Sequence, residues 1–278
     1  MPESSPRPGA LVVCPTPIGN LSDVTLRLLE ELRSADVVAC EDTRRTRILL
    51  ERHGISVPLL AVHEHNEAAR AAELVERIRG GERVALATDA GMPAVSDPGA
   101  RIVAAVAEAD LPVTVLPGPS AVTAAVAASG FGGAGFAFAG FLPRPAAKAA
   151  AEVRRLDACG LPVVAFESPQ RLPATLAALA EAEPGRPAVV CRELSKLHEQ
   201  VERGSLADLA QAFATPPKGE VTLVLAAADA AADAADVPED VLAELVAAVG
   251  ARRAAAIASR LTGVPRNRLY RAASSTKP

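Results

Sequence analysis

Polar and Gly/Pro-rich turns follow five short apolar runs in the first half of the chain. They occupy residues 15–20, 41–44, 63–66, 88–93 with 97–99, and 117–120. Their carboxylates, hydroxyls and backbone N–H groups can bind a charged ligand and can accept or donate a proton. We therefore take these turns as the candidate ligand-binding residues.

The same turns also have structural explanations. Three of them offer a side chain that could cap the next helix: Asp97, Ser120, and Asp42 or Thr43. His63 and His65 have the residue type of zinc ligands, but the sequence supplies no third ligand, so we expect no metal. No G-x-G-x-x-G follows the first run, and the P-loop and G-x-S-x-G motifs are missing. These absences argue against ordinary dinucleotide, P-loop and hydrolase sites.

The elements that carry these turns alternate in type along the chain. Apolar runs at 11–14, 37–40, 59–62, 84–87 and 113–116 alternate with segments of helical period at 25–33, 44–53, 67–79, 100–109 and 120–128. This alternation predicts a parallel sheet covered by helices. Ligands of such sheets bind beyond the carboxyl ends of the strands, which is where the polar turns fall.

The second half of the chain predicts another α/β domain, with a mixed sheet. Strands are expected at 136–141, 163–166, 188–192 and 221–226, and helices at 146–158, 171–182 and 206–214. Three further helices are expected at 238–249, 252–261 and 265–273. The predicted organisation is a disordered leader at 1–10, domains at 11–130 and 136–227 joined by a glycine-rich connector, and an acidic linker with a basic helical tail at 228–278.

The charges near the C-terminus change sign over a short distance. Residues 227–249 contain six acids and no base, whereas residues 250–278 contain seven bases and no acid. The net charge of −4 argues against a general nucleic-acid binder, but the basic tail suits contact with RNA phosphates. A helix-turn-helix-like module and a solvated helical tail explain it equally well.

Composition favours a cytoplasmic protein. The four cysteines are far apart and form no C-x-x-C pair, as in proteins with free thiols from a reducing compartment. The uncharged stretch between Asp110 and Arg144 is long enough to cross a bilayer. Its prolines and glycines would interrupt a helix, so we expect no membrane span.

The turn sequences, taken in order, resemble one known family. The matching segments are VVCPTPIGNLSDVTLR, ACEDTRRT, HEHNE, TDAGMPAVSDPG, LPGPSA, FAGFLPR, FESPQRL, CRELSK and KGEVTLV, with RRAAAIASRLTGVPRNRLYRAA in the tail. Together they span nearly all of residues 11–224. The chain resembles the small-subunit rRNA methyltransferase I family of the tetrapyrrole methylase superfamily.

The resemblance implies a cofactor, S-adenosylmethionine, in a cleft between two α/β domains, and commonly a homodimer. The cofactor residues that it implies are Pro15, Thr16, Gly19, Asp89, Ala90, Gly91, Met92, Ser120, Ala121, Phe166, Glu167, Leu194, Lys218, Gly219 and Glu220. Asp89 would bind polar groups of the methionine and ribose, and the turn at Ser120 would approach the adenosyl group. Met92 and Gln170 depart from the family pattern, and Gln170 replaces a usual histidine, so we do not assign a general base there.

The resemblance also implies the substrate, the ribose 2′-hydroxyl of a decoding-centre cytidine in 16S rRNA of the small ribosomal subunit. A hydroxyl is a poor nucleophile, so we expect a proton acceptor or a stabilising cation. We select Glu41 and Lys196 from a group that also contains Asp42, His65, Glu167 and Glu220. The residues expected to contact RNA are Arg44, Arg45, Arg144, Arg252, Arg253, Arg266 and Arg268.

Two other functions remain open at this stage. A methylase of a small tetrapyrrole would share the fold and cofactor, but it would not need a basic tail. A non-catalytic RNA-binding assembly factor would not need intact DAG-x-P, PGPS and KGE segments. We therefore favour the rRNA methyltransferase.

Overall fold

The structure, a computed structural model, describes residues 8–63, 65–133, 135–228, 239–262 and 266–275. Within these residues the chain forms two five-stranded sheets, each covered by helices, and a C-terminal group of three helices. The predicted fold class, two α/β units and a small helical region, is confirmed.

The N-terminal sheet consists of five parallel strands. They are β1 (Ala10–Cys14), β2 (Val37–Cys40), β3 (Leu59–Ala61), β4 (Arg83–Ala87) and β5 (Val113–Val115), in the order β3-β2-β4-β1-β5. The helices between them are α1 (Leu26–Ser34), α2 (Thr43–Arg52), α3 (Glu67–Arg79) and α4 (Ala100–Glu108). All nine predicted elements are confirmed to within one residue at each end.

Helices cover both faces of this sheet, because successive side chains of a strand point to opposite faces. Val12 and Val38 pack with α1 and α2 on one face. Leu11 and Val37 pack with α3 and α4 on the other. The strands are parallel, so their carboxyl ends and the polar turns after them share one edge.

The C-terminal sheet is mixed, as predicted. After α5 (Ala121–Ser129) come β6 (Ala137–Phe141), α6 (Ala146–Asp157), β7 (Val163–Glu167), α7 (Leu172–Ala182), β8 (Pro187–Arg192), β9 (Gln200–Ser205), α8 (Leu206–Ala212) and β10 (Val221–Leu225). The strand order is β6-β7-β10-β8-β9. Only the β6–β7 pair among these is parallel.

The sequence predicts no strand at residues 200–205, and this prediction is wrong. Strand β9 pairs antiparallel with β8 along its whole length, from Arg192 opposite Gln200 to Pro187 opposite Ser205. Its sequence, QVERGS, has no apolar run because β9 lies at the edge of the sheet and is only half-buried. Charged edge strands of this kind protect a sheet from pairing with other chains.

Helix α5 packs against the C-terminal sheet, although it precedes the predicted connector at residues 130–135. Val122 and Val126 contact Val164 of β7 and Val224 of β10 within one apolar cluster. Helices α6, α7 and α8 cover the opposite face of the sheet. The domain boundary at residues 130–135 stays a prediction.

The C-terminal group contains α9 (Glu239–Val249), α10 (Ala251–Thr262) and α11 (Arg266–Ser275). Leu242, Ala255 and Leu269 belong to its shared apolar core. The three predicted tail helices are thus confirmed. The acidic segment at 229–238 and most of the predicted leader lie outside the described residues. Across the described ranges, no helix combines the length and hydropathy needed to cross a membrane.

Candidate active site

A cleft of about 380 Å³ opens at the carboxyl edge of the N-terminal sheet and faces the C-terminal sheet. Its walls come from the turns after β1, β4 and β5, and from β6, β7, β8 and β10. Ten of the residues expected to bind the cofactor line it: Ala90, Gly91, Met92, Ser120, Ala121, Phe166, Glu167, Leu194, Gly219 and Glu220. Segments that are up to 130 residues apart in sequence therefore meet at one site.

Five of the expected cofactor residues do not line the cleft. They are Pro15, Thr16, Gly19, Asp89 and Lys218. The backbones of Thr16 and Gly91 exchange two hydrogen bonds of 2.9 and 3.0 Å, which join the turns after β1 and β4. Pro15 packs against Gly118, where an added Cβ would lie 2.4 Å from Pro15 Cγ. The Lys218 carbonyl accepts a hydrogen bond of 3.0 Å from Arg192. These contacts support the walls of the cleft.

Glu41 and Asp89 lie side by side at the ends of β2 and β4. Asp89 Oδ1 accepts a hydrogen bond of 3.0 Å from the Asp42 N–H, and Asp89 Oδ2 lies 3.5 Å from Arg45 Nε. Burial, followed by the negative charge of Asp89, raises the pKa of Glu41. Glu41 is half-buried beside the cleft and is not among the residues that line it.

Lys196 joins two carboxylates at the edge of the cleft. Its Nζ lies 2.8 Å from Glu193 Oε1 and 3.0 Å from Glu220 Oε2. The aliphatic chain of Lys196 packs on Gly19, where an added Cβ would lie 2.3 Å from Lys196 Cγ. The Lys196 ammonium group is therefore held by two carboxylates. The glycine at position 19 leaves room for the aliphatic part of the Lys196 side chain.

Glu167, at the end of β7, has a fully buried side chain. One of its oxygens accepts a hydrogen bond of 2.6 Å from the Ser168 N–H and lies 2.5 Å from an Arg171 nitrogen. The other accepts a hydrogen bond of 2.6 Å from the Thr175 hydroxyl. This carboxylate therefore links β7 to the helix that follows it.

Asp97 does not cap α4, so that structural explanation is wrong. The N-cap position is Gly99, which has φ +133°, and its N–H donates a hydrogen bond of 2.8 Å to Glu67 Oε1. Glu67 also accepts a 3.0 Å bond from the Arg101 N–H. Asp97 instead lines the cleft. Its position after the fourth strand was the only sequence signal for this role.

Of the two other predicted helix caps, one is confirmed and one makes no capping hydrogen bond. Asp42 caps α2, because its side chain accepts a hydrogen bond from the Arg44 N–H at 2.9 Å. Ser120 occupies the N-cap position of α5, but its side chain makes no capping hydrogen bond. The Ser120 hydroxyl therefore remains available to the cleft that it lines.

Phe141 is a further cleft residue that was not predicted from the sequence. Phe141 is the last residue of β6, and its side chain is 61% exposed at the cleft. Its ring centroid lies 5.3 Å from that of Phe166 in a tilted arrangement. The segment FAGFLPR marked this position in the sequence, but nothing there showed that the ring would be exposed.

The expected RNA-binding arginines fall into two groups. Near the cleft, Arg44 pairs with Asp42 at 2.7 Å, Arg45 contacts Asp89, and Arg144 is exposed. In the tail, Arg252, Arg253 and Arg266 surround one open groove of about 450 Å³. The side chain of Arg268 lies outside the described part of the chain.

Two family descriptions match the chain. Residues 10–210 match "Tetrapyrrole (Corrin/Porphyrin) Methylases", and residues 230–277 match "RsmI C-terminal HTH domain". The "Ribosomal RNA small subunit methyltransferase I" of Mesorhizobium japonicum is 43% identical over 268 residues, which cover 94% of this chain and 90% of that protein. The protein of the same name from Thermotoga maritima is 42% identical over 218 residues, which cover 78% and 98%.

Solved structures that resemble the chain share its fold at low sequence identity. A diphthine synthase structure matches with a TM-score of 0.63 at 18% identity, covering 78% of this chain and 90% of its own. A uroporphyrin-III-C-methyltransferase from Thermus thermophilus matches with a TM-score of 0.54 at 23% identity, covering 78% and 94%. These likenesses show the fold, and the identities of 42–43% over most of the length show the family. The chain belongs to the ribosomal RNA small subunit methyltransferase I family, within the tetrapyrrole methylases.

Proposed function

We propose that the protein transfers the methyl group of S-adenosylmethionine to the ribose 2′-hydroxyl of a cytidine in the decoding centre of 16S rRNA. The observation that carries this proposal is the meeting of ten motif residues at one cleft, in a chain that also has an arginine-lined groove in its tail. The names of the close relatives specify small-subunit rRNA. The nucleotide and the 2′-oxygen rest on the resemblance to the family.

The residues of the cleft suit this cofactor. Met92, Phe166 and Leu194 provide apolar surface for the adenosyl group. The N–H groups that begin α5 have no partner within the helix, so they can donate to a carboxylate of the ligand. Gly91 has φ +82°, a backbone conformation that residues with a side chain rarely adopt, so this wall of the cleft favours glycine at position 91. The carboxylates around the cleft suit a positively charged ligand such as this cofactor.

The bound cofactor supplies a methyl group on a positively charged sulfur. The residues of the cleft would hold the ribose oxygen next to that methyl group, and positioning of this kind can provide most of the acceleration. The apolar wall of the cleft excludes water from the reacting atoms. Glu41 and Lys196 lie beside the cleft. We propose that their charges set the electrostatic potential at the reacting atoms.

The tail would bring the substrate to the cleft by contact with RNA phosphates. We also propose that the protein works in the cytoplasm, as its widely spaced cysteines indicate, and that it forms a homodimer, as the family resemblance implies. Light scattering of the purified protein at micromolar concentration tests the dimer.

Methylation of purified substrates tests the function. Unmethylated 30S subunits and deproteinised 16S rRNA are incubated with the protein and radiolabelled S-adenosylmethionine, and 2′-O-methylation is mapped by resistance to alkaline cleavage. Label on one decoding-centre cytidine is expected, and the substrate that carries it identifies the required assembly state. No label on either RNA, with the cofactor bound, would overturn the proposal in favour of a small-molecule acceptor.

Removing the tail arginines should weaken RNA binding while leaving the cofactor site intact. We expect Arg252→Gln, Arg253→Gln and Arg266→Gln together to raise the dissociation constant of the RNA substrate by about tenfold or more, since each phosphate contact contributes through counterion release. The slope of log affinity against log salt should fall by about 2–3, because each phosphate contact contributes about 0.7–0.9. Filter binding over a salt series measures both affinity and slope.

The matched control is Arg154→Gln on α6, an exposed arginine outside the tail. It should leave the salt slope unchanged. An unchanged slope in the triple variant as well would show that the groove does not contact phosphates.

A further inference from the structure

Three charged side chains meet at the edge of the cleft, where β8 ends and β10 begins. Lys196 Nζ lies 2.8 Å from Glu193 Oε1 and 3.0 Å from Glu220 Oε2. We call these three side chains the charge triad, and their formal charges sum to −1. Glu220 is the member of the triad that lines the cleft.

Glu193 holds the triad in place. Its Oε1 atom accepts hydrogen bonds from Lys196 Nζ at 2.8 Å and from the Glu220 N–H at 2.9 Å. Its own N–H donates a 3.0 Å bond to the Glu220 carbonyl. The Glu193 side chain also packs closely on Gly219, where an added Cβ would lie 2.4 Å from Glu193 Cγ. The Lys196 ammonium group is therefore fixed by a carboxylate that does not itself line the cleft.

The backbone of the loop between β8 and β9 supports this arrangement. Glu193 has φ +52° and Ser195 has φ +64°, angles that residues with a side chain rarely adopt unless surrounding contacts impose them. The Lys196 N–H donates a 3.0 Å bond to the Glu193 carbonyl, and the Ser195 N–H donates a 2.6 Å bond to Glu199 Oε2. The loop is thus closed by its own hydrogen bonds, and it presents the ammonium group at a defined position.

Glu220 is the less constrained of the two carboxylates. Its side chain is 68% exposed, whereas that of Glu193 is 19% exposed. Among the residues that the structure describes, Lys196 is the only one bonded to the Glu220 carboxylate. The lysine therefore offsets a negative charge that would otherwise act on a ligand in the cleft.

Lys196 and Glu193 are charged at neutral pH. Burial lowers the pKa of Lys196, but the hydrogen bonds to Glu193 and Glu220 outweigh burial, so that this pKa is raised overall. The hydrogen bond from Lys196, followed by that from the Glu220 N–H, lowers the pKa of Glu193. The two side chains therefore remain an ion pair around pH 7.

The cofactor and its product differ in charge at one atom. The sulfur of S-adenosylmethionine is positively charged, whereas the sulfur of S-adenosylhomocysteine, which remains after methyl transfer, is neutral. Their amino-acid and adenosine groups are the same. The ratio of their dissociation constants therefore isolates the interaction of the protein with the sulfur charge and the methyl group. A more negative cleft favours the cofactor over the product.

We propose that Lys196 sets how strongly the cleft prefers the positively charged cofactor over the neutral product. It does so by offsetting the charge of Glu220, while Glu193 keeps its ammonium group in position. This inference rests on the proposed function and deepens it, because the preference determines how readily the product is exchanged for a new cofactor molecule. Removing the lysine makes the cleft more negative, and removing either carboxylate makes it less negative.

Lys196→Met and Glu220→Gln should therefore shift the ligand preference in opposite directions. Methionine keeps an aliphatic chain to pack on Gly19, and glutamine keeps the size of Glu220. The measured quantity is the dissociation constant for S-adenosylhomocysteine divided by that for S-adenosylmethionine, each obtained by calorimetry. We expect this ratio to rise about three- to tenfold in Lys196→Met and to fall by a similar factor in Glu220→Gln, the range for one charge acting across a partly solvated cleft.

Glu193→Gln provides a third variant. It removes one negative charge from the triad but keeps an oxygen that can accept the hydrogen bond from the Glu220 N–H, so the ratio should fall as in Glu220→Gln. The ratios of all three variants should approach the wild-type ratio as salt is raised from about 0.05 to about 0.5 M, because salt screens partly exposed charges. A change caused by packing alone would not shrink in this way.

The controls remove the same charges on the opposite face of the C-terminal sheet, which α6 and α7 cover. Lys148 on α6 and Glu181 on α7 are exposed, and neither lines the cleft. Lys148→Met and Glu181→Gln should keep the wild-type ratio, which would show that the net charge of the protein is not what matters.

The outcomes separate the triad from the function. A higher ratio in Lys196→Met together with a lower ratio in Glu220→Gln supports the proposal. Unchanged ratios in both variants, or shifts in the same direction, would overturn it, even if both ligands bound more weakly. If the wild type bound neither ligand, the proposed cofactor and this inference would both be overturned. If the wild type bound both ligands but labelled no RNA, the proposed RNA substrate would be overturned, and the ratios would still decide the role of Lys196.

Discussion

Replacing Glu167 with alanine should lower the free energy of unfolding by about 3–5 kcal/mol, the cost of removing one partner from a buried ion pair. The carboxylate is fully buried and holds Arg171, Ser168 and Thr175. Without it, the Thr175 hydroxyl loses its acceptor and the Arg171 guanidinium, which is 23% exposed, loses its counterion. Urea unfolding followed by circular dichroism measures the change.

Two variants calibrate this expectation. Glu167→Gln retains an acceptor for Thr175 but loses the charge, so it should cost less than the alanine variant. Glu152→Ala on α6 removes a surface carboxylate that pairs with Arg155, and such pairs contribute about 0–1 kcal/mol. If Glu167→Ala and Glu152→Ala destabilised the protein equally, the buried network would have no net effect on stability.

This network also bears on the role of Glu167. The family resemblance implies a cofactor-binding residue, and the side chain does lie at the cleft. Its oxygens, however, are already engaged by groups of the protein. We therefore expect Glu167 to fix the end of β7 and the start of α7, and to affect the cofactor through the shape of that wall.

The strands could be predicted from sequence where both faces of a sheet are buried. β1, β2 and β4 are apolar at nearly every position because helices cover both sides of them. β9 could not be recognised, because a half-buried edge strand needs no apolar run. The packing of α5 on the C-terminal sheet could not be predicted from the sequence either, because its small apolar residues could pack against either sheet.

The candidate site, like the fold, could be predicted from the sequence only in part. The edge of the sheet and the turns that line it follow from the alternation of strands and helices, because parallel strands place their carboxyl ends together. Individual roles depend on contacts between distant residues. Asp97 had the sequence of a helix cap, but Glu67, which lies 32 residues before Gly99, supplies the cap instead. No local spacing rule reveals such a replacement.

Enlarging Ala121 should block the cofactor site without unfolding the protein. Ala121 begins α5, lines the cleft and is only half-buried, so Ala121→Leu extends into the cleft rather than into the core. We expect the dissociation constant for S-adenosylmethionine to rise about 100-fold, which corresponds to the upper end of the ~1–3 kcal/mol cost of overpacking. Calorimetry measures the affinity, and thermal unfolding shows whether stability is retained.

The control lies on the same helix. Ala127 is exposed near the other end of α5 and does not line the cleft, so Ala127→Leu adds the same atoms away from the site. It should bind the cofactor with wild-type affinity. If Ala121→Leu also bound within about threefold of wild type, the cofactor would not occupy the part of the cleft beside α5. If both variants lost cofactor binding together with thermal stability, the substitutions would act by destabilising α5 and not by filling the cleft. Loss of affinity in Ala121→Leu alone, at unchanged stability, would place the cofactor against the start of α5, where Ser120 and the first N–H groups of the helix can reach it.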